Sequence, residues 1–141
     1  LWPCAMGPEL SRLELTVAVR QALLAEARAA APEEACGILL GRGGRIDAII
    51  PAGNVHARPE THFEIDPRVL IAAWRAEREG GPAVAGFYHS HPTGHARPSP
   101  VDQAQSARDG RVWAIIAAGD VSWWRDGEHG FVPLSYALVD G

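Results

Sequence analysis

The sequence is short of the features that would place it in several large classes. Its apolar runs stop early: Val112-Trp-Ala-Ile-Ile-Ala-Ala118 falls well below the roughly 20 residues that cross a bilayer, and the helical stretch near the N-terminus carries Arg20, Glu26 and Arg28. No membrane anchor or secretory signal is expected. Basic residues form no cluster, and with a formal net charge of −4 the chain offers no electrostatic footprint for a phosphate backbone. Nucleic acid is therefore not an expected partner. The 2 cysteines, Cys4 and Cys36, make no disulfide framework, which points to a reducing cytoplasm. Internal repeats and low-complexity tracts are missing too.

What is present suits one compact domain: 141 residues, 47% of them hydrophobic, can bury a sizeable core without staples. The stretch Leu1-Trp-Pro-Cys-Ala5 ahead of Met6 has no periodicity. Residues 1–12 are set aside as a leader or remnant, and residues 13–141 are read as the domain.

From Thr16, apolar residues at Val19, Ala22, Leu23, Ala27 and Ala30 recur at helical spacing, with Thr16 as cap and Pro32 as stop. Cys36-Gly-Ile-Leu-Leu-Gly41 reads as a buried strand, and the glycines after it lead to Arg45-Ile-Asp-Ala-Ile-Ile50 as the second arm of a hairpin. Residues Pro51 to Glu60 look irregular, and Thr61 to Ile65 look like a short strand. Asp66-Pro67 opens a second helix that ends at Gly80-Gly81. Ala83 to Ser90 reads as a central strand running into a proline-rich loop. Ser99-Pro100-Val101-Asp102 opens a third helix of about ten residues. Arg111 to Ala118, Val121 to Arg125 and Val132 to Val139 then read as strands, with Asp126-Gly127 as a turn. The expected class is α+β, a curved mixed sheet flanked by about three helices.

The chemistry concentrates in a few residues. On a strand, His89 and His91 project from one face, close enough to share one ion. Asp102, in the first turn of a helix, sits where the dipole favours an ionised carboxylate. Two imidazoles and a carboxylate suit zinc and leave a coordination position for water. Zinc brings the pKa of such a water to about 7, but hydrolysis also needs a base that passes the proton to the leaving amine. Glu34, between a helix end and the buried strand, is the candidate; charge alone does not separate it from Glu33. As cap of the Asp102 helix, Ser99 can offer its hydroxyl to an oxyanion.

Glu34, then His89-Ser-His91-Pro, seven residues, Ser99, two residues and Asp102 resembles the JAMM motif of the JAB1/MPN/Mov34 metalloenzymes. The flanking Pro32-Glu-Glu-Ala-Cys-Gly-Ile-Leu-Leu-Gly41, Phe63-Glu-Ile-Asp-Pro67 and Ser135-Tyr-Ala-Leu-Val-Asp-Gly141 look like the short bacterial branch of that family, so the likeness covers Leu13 to Gly141. The resemblance implies the MPN fold, akin to cytidine deaminases. It also implies zinc on His89, His91 and Asp102, Glu34 rather than Glu33 as general acid/base, and Ser99 as oxyanion support. Members hydrolyse the peptide or isopeptide bond after the C-terminal glycine of ubiquitin or a ubiquitin-like protein. Short bacterial members trim sulfur-carrier proteins, for example by removing a C-terminal cysteine. The expected partner is thus a ubiquitin-like or sulfur-carrier protein. Oligomeric state is left open, a dimer included.

Two other classes compete. A non-catalytic MPN scaffold that binds protein partners would lack one or more motif residues, and this chain keeps them all. A zinc deaminase would need a Pro-Cys-x-x-Cys ligand pair, which the sequence does not contain. Cys36, among apolar neighbours, reads as an inert buried thiol. His56, His62 and His129 read as residues of the surface or of the site's surroundings, and His95 as a solvated loop residue. The tryptophans read as core.

Overall fold

The structure, a computed structural model, describes residues 12–140. The stretch set aside at the N-terminus, Trp2 and Cys4 included, lies outside the described residues except for Arg12, which opens the first strand.

Eight strands form one sheet among the described residues: β1 (Arg12–Thr16), β2 (Cys36–Arg42), β3 (Arg45–Ala52), β4 (Val84–Ser90), β5 (Val112–Ala117), β6 (Asp120–Gly127), β7 (Gly130–Pro133) and β8 (Ser135–Val139). Three helices accompany it: α1 (Val17–Ala30), α2 (Pro67–Arg78) and α3 (Pro100–Gln105). The spatial order is β7-β6-β5-β4-β2-β3-β1-β8. Strands β1 and β3, β1 and β8, and β4 and β5 run parallel, and the other pairs are antiparallel. Only Leu134 separates β7 from β8, yet these two strands stand at opposite ends of the order. The sheet is therefore curled, and the architecture is the expected α+β class, a curved mixed sheet with three helices among the described residues.

Alternation along the central strands β2 and β4 sorts their side chains between two of the three core clusters. Leu39 and Ala85 face a cluster with Val19 and Leu23 of α1, while their neighbours Ile38 and Val84 face a cluster with Ala73 of α2. This two-sided burial explains why β2 reads as an unbroken apolar run. Each fully buried Leu or Ile contributes about 1.5–3 kcal/mol against exposure. Gly86 has a packing reason, since a Cβ there would strike the Val112 backbone of the paired strand β5.

The helix starts fall where their caps place them. The Thr16 hydroxyl accepts the Val19 N–H at 3.2 Å, and the Asp66 carboxylate accepts the Arg68 N–H at 3.0 Å ahead of Pro67. Four expectations are corrected. Thr61 to Ile65 is no strand: its one ladder contact is an isolated bridge from Ile65 to Asn54. Helix α3 has 6 residues, because the Ser106 hydroxyl and the Ala107 and Arg108 N–H groups turn to the buried carboxylate of Asp126 instead of continuing the helix. Asp126 and Gly127 accordingly belong to β6, and the turn falls on Glu128 and His129. The run from Val132 to Val139 is broken at Leu134, whose N–H goes to Trp123 while the chain crosses from one end of the strand order to the other.

Candidate active site

Strand β4 lies in the middle of the sheet, between β2 and β5; His89 is near its C-terminal end and His91 directly follows its last residue. His89 is paired with Cys36 on one side and Ile115 on the other, and the His91 N–H extends the ladder to the Ile116 carbonyl at 2.8 Å. The two-residue period brings both rings to one face, with their Nε2 atoms 3.0 Å apart. Asp102 arrives from α3: its Oδ1 lies 2.9 Å from His89 Nε2 and its Oδ2 3.1 Å from His91 Nε2. All three side chains are buried.

Each is held from behind. Asp102 and Ser99 form a reciprocal capping box, Ser99 N–H to Asp102 Oδ2 at 2.9 Å and Asp102 N–H to Ser99 Oγ at 3.1 Å. His91 Nδ1 lies 2.7 Å from the His95 carbonyl, so that nitrogen carries the hydrogen. His89 is held differently. Its Nδ1 is buried with no hydrogen-bond partner among the described residues, and the ring is stacked on Phe63 at 4.4 Å, with Trp113 perpendicular to it at 5.6 Å.

The electrostatics follow from this packing. Burial pushes His89 below the ordinary imidazole value, against the pull of Asp102. For His91, burial is outweighed by the hydrogen bonds with Asp102 and the His95 carbonyl, and the ring moves up. Burial also opposes ionisation of Asp102, but the hydrogen bonds from His89 and His91 hold it well below the usual carboxylate range. Protonated on both nitrogens, His91 can make these bonds; once neutral, with its remaining hydrogen on Nδ1, it presents a bare Nε2 lone pair to a carboxylate oxygen and to a second imidazole nitrogen. Such lone pairs repel unless a cation, proton or metal, stands among them. The donor set therefore fits a divalent metal ion.

Glu34 and Glu33, indistinguishable by charge, differ in placement: Glu33 is exposed and Glu34 buried. Glu34 lines a cleft of about 370 Å³ with Glu60, Thr61, His91 and Ser99. Burial, opposed by His91 and reinforced by Asp102, raises its carboxyl to about 7. Cys36 is buried in β2, and burial, then Glu34, pushes its thiol up to about 12, which leaves it inert as a nucleophile.

The chain matches the model of prokaryotic homologs of the JAB domain over residues 16–126. It belongs to the JAMM/MPN family. A desampylase of Haloferax volcanii is 35% identical over 113 residues, covering 76% of this chain and 81% of that protein. A CysO-cysteine peptidase of Mycobacterium tuberculosis is 30% identical over 122 residues, covering 85% and 78%. Among solved structures, protein DSY2949 of Desulfitobacterium hafniense superposes with TM-score 0.80 at 30% identity, over 92% of this chain and 94% of that one. A JAB1/MPN domain protein of Archaeoglobus fulgidus superposes with TM-score 0.61 at 21% identity, over 90% and 99%, a likeness of fold. As a member of this family the chain is a hydrolytic enzyme.

Three groups at the site carry no mark in the sequence motif. Ser90, between the histidines, accepts the Ala35 N–H on Oγ at 2.7 Å and donates its own N–H to the Ala35 carbonyl at 3.0 Å, which ties the Glu34 segment to β4. His95 acts through its main-chain oxygen, which any residue would supply. The third is Asn54, whose amide bonds to the Glu34 carbonyl at 3.1 Å. For Ser90 the available signal is a polar residue between the two histidines. The other two roles depend on loop closure, which spacing does not encode.

Proposed function

We propose that the chain is a zinc peptidase that hydrolyses a peptide or isopeptide bond at the C-terminal tail of a ubiquitin-like or sulfur-carrier protein. The observation that carries this reading is the convergence of His89, His91 and Asp102 on one point beside the cleft that holds Glu34 and Ser99. The desampylase and CysO-cysteine peptidase relatives support the substrate class.

His89 and His91, each through Nε2, and a carboxylate oxygen of Asp102 would hold the zinc. When bound, zinc polarises the scissile carbonyl and makes water acidic enough to attack at neutral pH. Glu34 takes the water's proton on its carboxylate and passes it to the leaving amine, which is otherwise too basic to depart. Ser99 Oγ spends a lone pair on the Asp102 N–H and keeps its own hydrogen, available to the carbonyl oxygen as charge develops there. Phe63 and Trp113 shield His89 from water. A cytoplasmic setting belongs to the same reading. Among the described residues no helix is long and apolar enough to cross a membrane.

The test is incubation of the zinc-loaded protein with sulfur-carrier proteins bearing short C-terminal extensions and with their lysine conjugates, read by mass spectrometry. Cleavage directly after the terminal glycine is expected. Release at other bonds, or cleavage of unrelated unfolded proteins at equal rate, overturns the substrate class.

A further inference from the structure

The longest irregular segment beside the cleft runs from Gly53 to Asp66, and its conformation depends on one side chain. Asn54 spends every hydrogen-bonding position it has. The two hydrogens of its Nδ2 serve three carbonyls, Glu34 at 3.1 Å, Pro59 at 3.3 Å and His62 at 3.0 Å, so one hydrogen is shared between two of them. Its Oδ1 accepts the N–H groups of His56 and Glu64, each at 3.1 Å. Closing the ring, the Glu34 N–H donates to the Pro59 carbonyl at 2.7 Å. The Glu34 peptide groups on both sides of its α-carbon are thus bonded into the Asn54 loop.

That loop touches the chemistry at two further places. Glu60 and Thr61 line the cleft together with Glu34, and Phe63 stacks on the His89 ring. The loop is pinned at its far side by Gln105 of α3, whose Nε2 donates to the Phe63 carbonyl at 3.1 Å. Remove the Asn54 amide and Glu34 keeps its side chain but loses one anchor of its backbone, while the Pro59 and His62 carbonyls lose a donor. No other side chain of this size both donates two hydrogens and accepts two. Asp would keep the bonds from His56 and Glu64 and forfeit those to the three carbonyls.

We propose that Asn54 is a positioning residue for the hydrolytic reaction, holding Glu34 and the cleft wall in one frame with the two histidines. The inference rests on the peptidase reading above in assigning Glu34 the proton transfer. A displacement of about 1 Å at a reacting group can cost 10²-fold in rate, so the effect belongs in turnover.

The experiment compares zinc-loaded wild type with Asn54→Asp and Asn54→Ala by zinc content, by kcat and KM on an extended sulfur-carrier protein, and by amide hydrogen exchange. Both variants are expected to bind zinc as wild type does and to lose about tenfold or more in kcat, with the smaller change in KM. The Glu34 N–H should exchange at least about tenfold faster in both, with the amides of β4 and β5 unchanged. In Asn54→Asp the His56 and Glu64 amides should stay protected. A kcat for Asn54→Asp within twofold of wild type, with Glu34 protection lost, would make Asn54 a purely structural tie and overturn the proposal. Unchanged Glu34 protection would overturn it as well. Should Asn54→Ala not fold, Asn54→Asp decides. If wild type cleaves no such substrate, the substrate reading fails, and the exchange pattern still decides whether Asn54 holds Glu34.

Discussion

Ser99 and Asp102 satisfy each other's backbone amides, and the Asp102 oxygen that accepts the Ser99 N–H is the one that also faces His91. One four-residue device thus starts α3 and aims the Asp102 carboxylate at the two imidazoles. Ser99→Ala removes the acceptor for the Asp102 N–H. It should cost about 1 kcal/mol of stability as a lost cap, a melting shift of about 3–5 °C for a domain of this size. The rate should fall further than the cap alone explains, by 10-fold or more, on the order of a lost oxyanion donor. Calorimetry paired with steady-state kinetics separates the two, and an unchanged kcat would reduce Ser99 to its structural role.

Metal analysis of the purified protein should find about one zinc per chain, and chelation should abolish turnover until zinc is restored. Asp102→Ala should lose the metal, since the two imidazoles left behind do not complete a site. Wild-type turnover that survives exhaustive chelation would end the zinc reading.

Glu34→Gln should retain zinc and lose turnover by about 10²- to 10⁴-fold, the usual contribution of a general acid/base. The metal-free protein offers an independent check. Its Glu34 carboxyl sits at about 7 in the fold against an ordinary value of 4.5, mainly because burial disfavours the charge. Below pH 4.5 folded and unfolded chains are both protonated there and the group is neutral to stability. As pH rises from 4.5 to about 7 the unfolded chain ionises first, so stability falls. Glu34→Gln lacks this penalty. Denaturant titrations of the metal-free proteins should coincide at pH 4 and separate above pH 7 in favour of the variant, by up to about 3 kcal/mol. Equal stability at both pH values would mean that Glu34 is hydrated in solution.

Phe63 stacks on the ring of His89, whose Nδ1 has no hydrogen-bond partner among the described residues. Metal-ligating histidines ordinarily have such a bond, and losing it costs about 10- to 100-fold in affinity. Phe63→Leu, which keeps an apolar cover but removes the stacked face, should raise the zinc dissociation rate by a comparable factor while the fold stays intact. Competition with a fluorescent chelator measures it; an unaltered rate would show that Trp113 and the backbone suffice.

The residues of the candidate metal site stand out in the sequence because each lies on, or one residue beyond, an element whose period is local. His89 and His91 share a face through the strand repeat, and Ser99-Pro100 announces the helix that brings Asp102. The distance between those two elements is a tertiary matter, and the motif's spacing stood in for it. Where side chains, and not backbone ladders, decide the path, the pattern misled. Thr61 to Ile65 has a strand's composition, but its backbone bonds to Asn54 and Gln105 instead of a neighbouring strand. Asp126-Gly127 has the composition of a turn, yet the Asp126 carboxylate is buried and ends α3 from a distance. Leu134 splits what reads as a single run because the curl of the sheet, a property of all its strands together, makes room for the chain to change sides.

That crossing at Leu134 bears on how the molecule assembles. Strands β2, β4 and β5 are neighbours in the middle of the order; Glu34 lies just ahead of β2, and His89 and His91 lie at the end of β4 and just past it. Strand β1, by contrast, waits for β8, from the far end of the described chain, to complete its pairing. Contacts so remote in sequence carry a large loop-closure entropy and form slowly. Refolding should therefore yield a central sheet before the rim seals, leaving His89 and His91 open to solvent until the last strand pairs.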